Sequence, residues 1–459
     1  MGTSRLRGIV VVVVTFVVVM TLGATALFIW RAREPASWPP PDLGSVPSLV
    51  WSVHAEHVPG HDGEALLALP DTLDAYYGYV SVLDAPTVIV GALGRLASGS
   101  DVDEGRRVES VTLVGFHRVD GSVQWERSIG RVRQCSDSVE SGVIACWNDD
   151  RVLFVDTVDG RLLSELSPKM VNVDVVIAGD RAYVTGIKSQ GGRHHLVVSA
   201  GPPSAPGSTY TRSVPVAGPL SGIVDVLPSG AVVVVTNLED AAMYRFSVHD
   251  FGSGRAGFSL DSTQLLVVGD GLFLNSPVMV DGGSRQQILD EQGTVVSTAA
   301  VPAYTHSGMA KATSGQPPVL MADGAYDPET GRLLWRNPLL LRRDNSGAVQ
   351  AMAGRTVIVA AQETGELIGF DSATGDPRWR TRWKDAYWVY GGMTDGRHYV
   401  FSDYTGFHAL RITDGAVVWS KPLPEGADPR QTTILNAGGN ILITTNATIS
   451  MWRGQALSP

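Results

Sequence analysis

Gly324-Ala-Tyr-Asp327-Pro-Glu-Thr330-Gly331-Arg-Leu-Leu-Trp335 is a stretch that the chain repeats. It recurs as Gly369-Phe-Asp371-Ser-Ala-Thr374-Gly375-Asp-Pro-Arg-Trp379 and as Leu410-Arg-Ile-Thr413-Asp414-Gly415-Ala-Val-Val-Trp419. Near the start it reads Phe116-His-Arg-Val-Asp120-Gly121-Ser-Val-Gln-Trp125. In all four copies a Gly precedes a Trp by four residues, with Thr or Asp just before the Gly. A tight turn between two strands closes through a left-handed residue, which Gly adopts without strain. An Asp at the turn start accepts from backbone N–H groups two or three residues on. The Trp then falls in the returning strand, on the face set by period-two alternation. One large aromatic per repeat at a fixed place suits a ring wedged between sheets. Gly121, Trp125, Asp327, Gly331, Trp335, Asp371, Gly375, Trp379, Gly415 and Trp419 therefore read as structural.

The stretch belongs to a larger unit. Val155-Asp156-Thr-Val-Asp159-Gly160-Arg-Leu-Leu-Ser164 keeps the turn and replaces Trp with Ser. Degenerate copies surround Gly293 and Gly254, and the loosest spans Leu196 to Tyr210. The period of about 40 residues is that of four-stranded propeller blades. Strand-like runs such as Thr87-Val-Ile-Val90, Val232-Val-Val-Val235 and Thr356-Val-Ile-Val359 precede the copies.

The Asp-x-x-Thr-Gly-x-x-x-Trp pattern resembles the repeat of the pyrroloquinoline-quinone-like β-propellers. That superfamily includes quinoprotein alcohol dehydrogenases and the non-enzymatic BamB-like propellers of outer-membrane barrel assembly. The resemblance covers roughly residues 75–455. It implies an all-β propeller of four-stranded antiparallel blades, and the family's usual number is eight. It implies no activity, because the glycines and tryptophans it fixes are structural.

Composition agrees with many short strands: 459 residues, 44% hydrophobic and 18% charged, with 51 Gly and 26 Pro. The net charge is −10; the first 34 residues carry +3, which leaves −13 for the remainder. An acidic surface argues against nucleic acid and anionic lipid as partners.

Residues 9–30 form an uninterrupted apolar run, and about 20 such residues cross a bilayer core. Arg5 and Arg7 flank one end, and Arg31 and Arg33 the other. An uncleaved transmembrane anchor is expected, with residues 1–8 as a short basic cytoplasmic segment. A cleaved signal peptide is the rival, since Ala24-Thr-Ala26 resembles a cleavage site, but Leu27-Phe-Ile-Trp30 continues the apolar run past it. The short basic start favours a signal-anchor, with the propeller extracytoplasmic; the cytoplasmic side is the alternative. Residues 31–48 hold Pro35, Pro39, Pro40, Pro41 and Pro47 and read as a stiff linker to a propeller over 49–455.

Leu49-Val-Trp51-Ser-Val reads like the end of a repeat, and Ile434 to Trp452 like a repeat lacking its end. Together they predict one blade built from both termini, a closure that removes exposed edges. Full units starting near 76, 131, 173, 222, 263, 307, 348 and 388, with the shared unit added, exceed the family's number. Eight blades are expected, with one weak unit between 170 and 330 not forming a blade or the terminal segments packing outside the ring.

Cys135 and Cys146 are the only cysteines. They fall on segments 131–136 and 142–147, which a turn at Glu140-Ser141 sets opposite each other. A disulfide is expected there, with two buried thiols as the alternative. They are not adjacent, whereas a vicinal Cys pair marks several of the quinoprotein dehydrogenases that the chain resembles. Asp101, Asp103 and Glu104, in an insertion over 95–109, lack the glycine and distal Glu of a calcium loop. His194 and His195 are strand neighbours that would face opposite ways, and a solvated loop is expected. His54, His57 and His61 have ligand-like spacing but no visible fourth ligand. No catalytic, cofactor or metal site is assigned.

The expected function is a membrane-anchored, extracytoplasmic, non-catalytic propeller that binds or scaffolds another envelope or membrane protein. Loops 95–109, 188–194 and 201–208 would be presented to that partner. No cofactor is expected. The alternative is a quinone-dependent alcohol or sugar dehydrogenase, which would require pyrroloquinoline quinone and calcium.

Overall fold

A strand buried on both sides needs apolar residues at every position, with alternate residues serving different neighbours. Val232, Val233 and Val234 show the rule. Val232 and Val234 pack toward the preceding sheet, and Val233 toward the following one. Sheets built this way can only stack face to face, and here they stack until they meet.

The computed structural model describes residues 43–454 except 62–63, 67–81, 97–107, 137–138, 217–220, 228, 238–243, 263, 270, 277–284, 300–317, 322, 338–346, 362–363, 385–389, 425–426, 428–431 and 446–447. Among the described residues the strands form nine sheets, numbered here as blades in chain order. Blade 1 spans 65–130, blade 2 134–166, blade 3 171–216, blade 4 221–262 and blade 5 264–298. Blade 6 spans 319–336, blade 7 347–382 and blade 8 390–421. Blade 9 joins Thr433–Ala437, Asn440–Thr444 and Thr448–Gly454 to Pro47–His54, which pairs antiparallel with Thr448–Gly454 as the fourth, outer strand.

Nine apolar clusters fill the nine gaps, each shared by two neighbouring blades. The last gap is closed by Trp51, Leu442, Ile449 and Met451 of blade 9 against Ile89, Leu93, Val114 and Phe116 of blade 1. The ring is therefore continuous. First strands of successive blades touch, as in Val171–Ala178 with Ser221–Val226, so they line the axis.

The expected number of blades, eight, is corrected to nine. Blades 3, 4 and 5 lack the Trp, yet each forms a four-stranded sheet, and the terminal segments close the ring instead of packing outside it. Two-faced burial makes a blade, with or without the turn motif.

Residues 9–30 and 101–104 lie outside the described residues. Among the described residues no helix is long and apolar enough to cross a membrane.

Candidate functional site: joints and an interaction face

The repeat residues act between blades. In the turns that close the third and fourth strands, Gly121, Gly160, Gly331, Gly375 and Gly415 all have φ between +66° and +71° or, for Gly375, +73°. Each donates its N–H to the carbonyl four residues back. Asp327 Oδ1 accepts from the N–H groups of Glu329 and Thr330 and from the Thr330 hydroxyl. The bare face of each Gly then receives a side chain from the preceding blade. A Cβ on Gly375 would sit 2.4 Å from the Trp335 ring, and one on Gly415 2.3 Å from Trp379. Trp125 covers Gly160 and Trp51 covers Gly121 in the same way.

Each of these indoles also donates Nε1–H to the carbonyl three residues before the Gly it covers. Trp335 reaches Ser372 at 2.7 Å, Trp379 reaches Ile412 at 2.6 Å, Trp125 reaches Thr157 at 3.1 Å and Trp51 reaches Arg118 at 2.9 Å. A small residue stands across the ladder from each of four Trp: Gly115 from Trp125, Ala325 from Trp335, Gly369 from Trp379 and Ala409 from Trp419. That small partner lets the ring lie flat.

Elsewhere the joint is lighter. The Ser164 hydroxyl donates to the Pro203 carbonyl, and Arg212 donates to the Gly252 carbonyl at 3.2 Å. Phe258 covers Gly293, and Val296 covers Gly331. At the seam no turn exists for Trp419, because the two strands come from opposite ends of the chain. Its indole donates instead to the Leu43 carbonyl at 2.8 Å, while Leu43 N–H donates to Asp395.

Cys135 and Cys146 are paired in register on the first and second strands of blade 2 and joined by a disulfide, buried in the gap to blade 1.

The expected presenting loops separate in space. The segment 201–208 belongs to the turn between third and fourth strands, whereas 188–194 and the strands flanking 97–107 lie at the other end, between second and third strands. There, two hairpins are long. The second strand of blade 1, Val88–Leu96, has nine residues, and that of blade 3, Arg181–Gln190, has ten. Blade 2, between them, has Val143–Trp147, five residues. At about 3.3 Å per residue, an excess of roughly four residues lets each flanking hairpin overhang blade 2 by about 13 Å. Stacked sheets lie about 10 Å apart, so the space above blade 2 is one layer wide, roughly the diameter of a helix.

Strand alternation decides what lines this notch. Ala182, Val184 and Val197 of blade 3 pack toward blade 2. Lys188, Gln190, His195 and Arg193 share that face, in the pairs Lys188–His195 and Gln190–Arg193. The blade 3 wall is thus basic in an acidic protein. The floor is the turn 148–151, where Asp149 accepts from Val173 N–H and lies 3.6 Å from Arg133. His194 and His195 sit on the strand Arg193–Gly201, not in the expected solvated loop. They face opposite ways, with His194 Nδ1 2.9 Å from the Ser189 hydroxyl. The register extends further than expected because Gly191 and Gly192, both at positive φ, confine the turn to two residues.

A buried polar cluster in blade 8 escaped the sequence reading. In blade 8 His408 Nε2 meets Asp403 Oδ1 at 2.9 Å and its Nδ1 meets Ser420 Oγ at 2.9 Å. Trp383 of blade 7 packs edge-on to His408 and donates Nε1–H to Asp403. Ser420 is the cross-strand partner of His408, so the Asp-His-Ser contact lies within the ladder of blade 8, and the Trp383 indole ties blade 7 to it. Burial favours a raised Asp403 pKa, but hydrogen bonds from His408 and from the Thr405 hydroxyl and N–H outweigh it and hold the carboxyl at about 2. A carboxyl depressed in the folded state contributes stability above its unfolded pKa and loses it as pH falls through the folded value. Asp403→Asn should therefore cost about 2 kcal/mol at pH 6, a difference that disappears between about pH 4 and pH 2. Denaturant unfolding of both proteins across that range measures it, and a cost independent of pH would assign the loss to packing.

Residues 324–455 match the family described as outer membrane protein assembly factor BamB. Over that span the repeat is BamB-like. The BamB-like span holds Trp335, Trp379 and Trp419, three successive indole joints. Among curated proteins no sequence matches the chain. Similar solved structures include BamB from Moraxella catarrhalis, at 11% identity and TM-score 0.43, covering 90% of this chain and 100% of that one. Sqt1 from Saccharomyces cerevisiae has 10% identity and TM-score 0.45, covering 88% and 99%. Apo AztD from Citrobacter koseri has 12% identity and TM-score 0.40, covering 73% and 86%.

Proposed function

We propose that this chain is a membrane-anchored, extracytoplasmic propeller that binds another envelope protein and performs no redox chemistry. The observation that carries the reading is the notch over blade 2, two overhanging hairpins with one basic wall and room for one inserted segment. The BamB-like repeat of residues 324–455 is in keeping with it. The apolar run 9–30 supports the anchor, and the Cys135–Cys146 disulfide supports an oxidising compartment. The strongly acidic remainder of the chain supports a protein partner over nucleic acid.

A photo-crosslinking residue placed at Lys188 or Gln190 of the full chain, in intact cells, tests this. Adducts to one protein are expected from both positions and not from Val158, which is exposed in a turn between third and fourth strands. Equal labelling from all three positions would remove the notch as the docking site. The non-catalytic part is tested by adding pyrroloquinoline quinone and calcium with an alcohol and a redox dye. Dye reduction would place the protein among the quinoprotein dehydrogenases.

A further inference from the structure

His54-Ala-Glu56-His57 sits where the outer strand of blade 9 ends. Pro47–His54 runs directly into a single 3₁₀ turn, Ala55–His57, with His54 in extended conformation as its cap. In that helix type residues three apart are eclipsed. His57 therefore stands beside His54, with ring centroids 5.3 Å apart. Glu56 Oε1 lies 3.7 Å from His57 Nε2. One ligand atom from each of the three residues lies within 4.8 Å of the others.

We propose that His54, Glu56 and His57 form a binding site for a zinc-class divalent cation. Two imidazoles and a carboxylate are a borderline-soft donor set, suited to zinc and not to calcium or magnesium. Bonds of about 2.0–2.1 Å require the ligand atoms to close in by roughly an ångström. The side chains of His57 and Glu56 are 71% and 72% exposed and free to swing that far. The backbone beneath them is fixed. Ala55 and Val58 are buried in the seam between blades 9 and 1, Val58 N–H donates to Ala55 and His61 N–H to Val58. The turn is thus a rigid base carrying adjustable ligands. Three protein ligands leave a fourth position for water or for a side chain of another molecule.

His61, which sequence spacing groups with the other two, is excluded. Its Nδ1 is 2.8 Å from Glu64 and its Nε2 3.5 Å from Glu126, and both carboxylates hold its pKa above the ordinary value despite its burial. Among the described residues no other group of three His, Cys, Asp or Glu side chains is arranged to share an ion.

The test is isothermal titration of zinc chloride into the metal-free, untagged full chain in detergent, with calcium chloride in parallel. One equivalent of zinc is expected to bind at micromolar concentration, and calcium not to bind. His57→Ala and Glu56→Gln, at exposed positions that leave folding intact, should each weaken zinc at least tenfold, whereas His61→Ala should not. Sub-stoichiometric zinc, or affinity unchanged in both His57→Ala and Glu56→Gln, would overturn the site. A loss in His61→Ala equal to that in His57→Ala would do the same.

Discussion

Trp379→Ala is expected to destabilise the propeller by about 3–5 kcal/mol, the range for emptying a buried large aromatic site. Trp379 is only 8% exposed although it sits on the outer strand of its blade. One side of its ring lies on Gly369, where a Cβ would come within 2.2 Å, and the other side on Gly415 of the next blade. Truncation would open a void at both and leave the Ile412 carbonyl without its indole donor. Denaturant unfolding of the soluble propeller measures the loss, and Trp335→Ala should behave alike. The companion experiment separates the joint from a generic cavity. Gly415→Ala alone is strained by its φ of +69°, by contact with the Trp379 ring and by contact with the Thr381 hydroxyl. In a Trp379→Ala background the ring contact is gone and only the backbone strain and the Thr381 contact remain, so the double variant should be more stable than the sum of the single losses implies. Additive losses would mean that the two residues do not form one joint.

Removing the outer strand of blade 9 should have a still larger effect. A chain starting at Leu43 is expected to fold as a monomer, and one starting at Pro59 to aggregate or unfold. The shorter chain loses the pairing of Pro47–His54 along Thr448–Gly454 and exposes that strand as an edge. It loses Trp51 from Gly121 and the Leu43 carbonyl from Trp419, so both sides of the seam are unlatched together. Two buried side chains at about 2–5 kcal/mol each already approach the whole margin of a typical domain. Size-exclusion chromatography and thermal melting decide it. A monomer starting at Pro59 that melts with the longer chain would show that the ring does not depend on its terminal strand. A chain starting at Ser48 should fall between the two, since Leu43 is lost while the strand remains.

Much of this was legible because the turn chemistry is local. Asp327, Gly331 and Trp335 reveal a hairpin through spacing alone, and the sharing of one blade between both termini follows from two half-repeats. The number of blades was not legible in the same way. Blades 3 to 5 are held by Val232, Val234, Phe246 and Phe273, residues that any buried strand could carry, so no fixed motif announces them. The indole-to-carbonyl contacts join residues more than thirty positions apart, beyond the reach of periodicity, although the small residue across from each Trp was a usable sign. His408 and Asp403 were missed because the hydrogen bond that links them follows from register across a tight turn. His61 was misgrouped for the opposite reason. Its sequence neighbours suggested ligation, but Glu64 and Glu126 claim its ring in space.

The uneven joints divide the circle mechanically. Among the described residues, every gap from blade 6 through the seam to blade 2 is bridged by an indole that donates to a backbone carbonyl: Trp335, Trp379, Trp419, Trp51 and Trp125. From blade 2 to blade 6 the outer-strand role of these Trp against the next blade's turn is taken by Ser164, Arg212, Phe258 and Val296. The firm arc contains the chain ends, the point at which a ring assembled from a linear polymer would otherwise come apart. The blade 1 wall of the notch is latched to blade 2 through the Trp125 indole, and the blade 3 wall through the smaller polar contacts of Ser141, Ser164, Arg133 and Asp149, so an inserted segment would meet two walls anchored by different means.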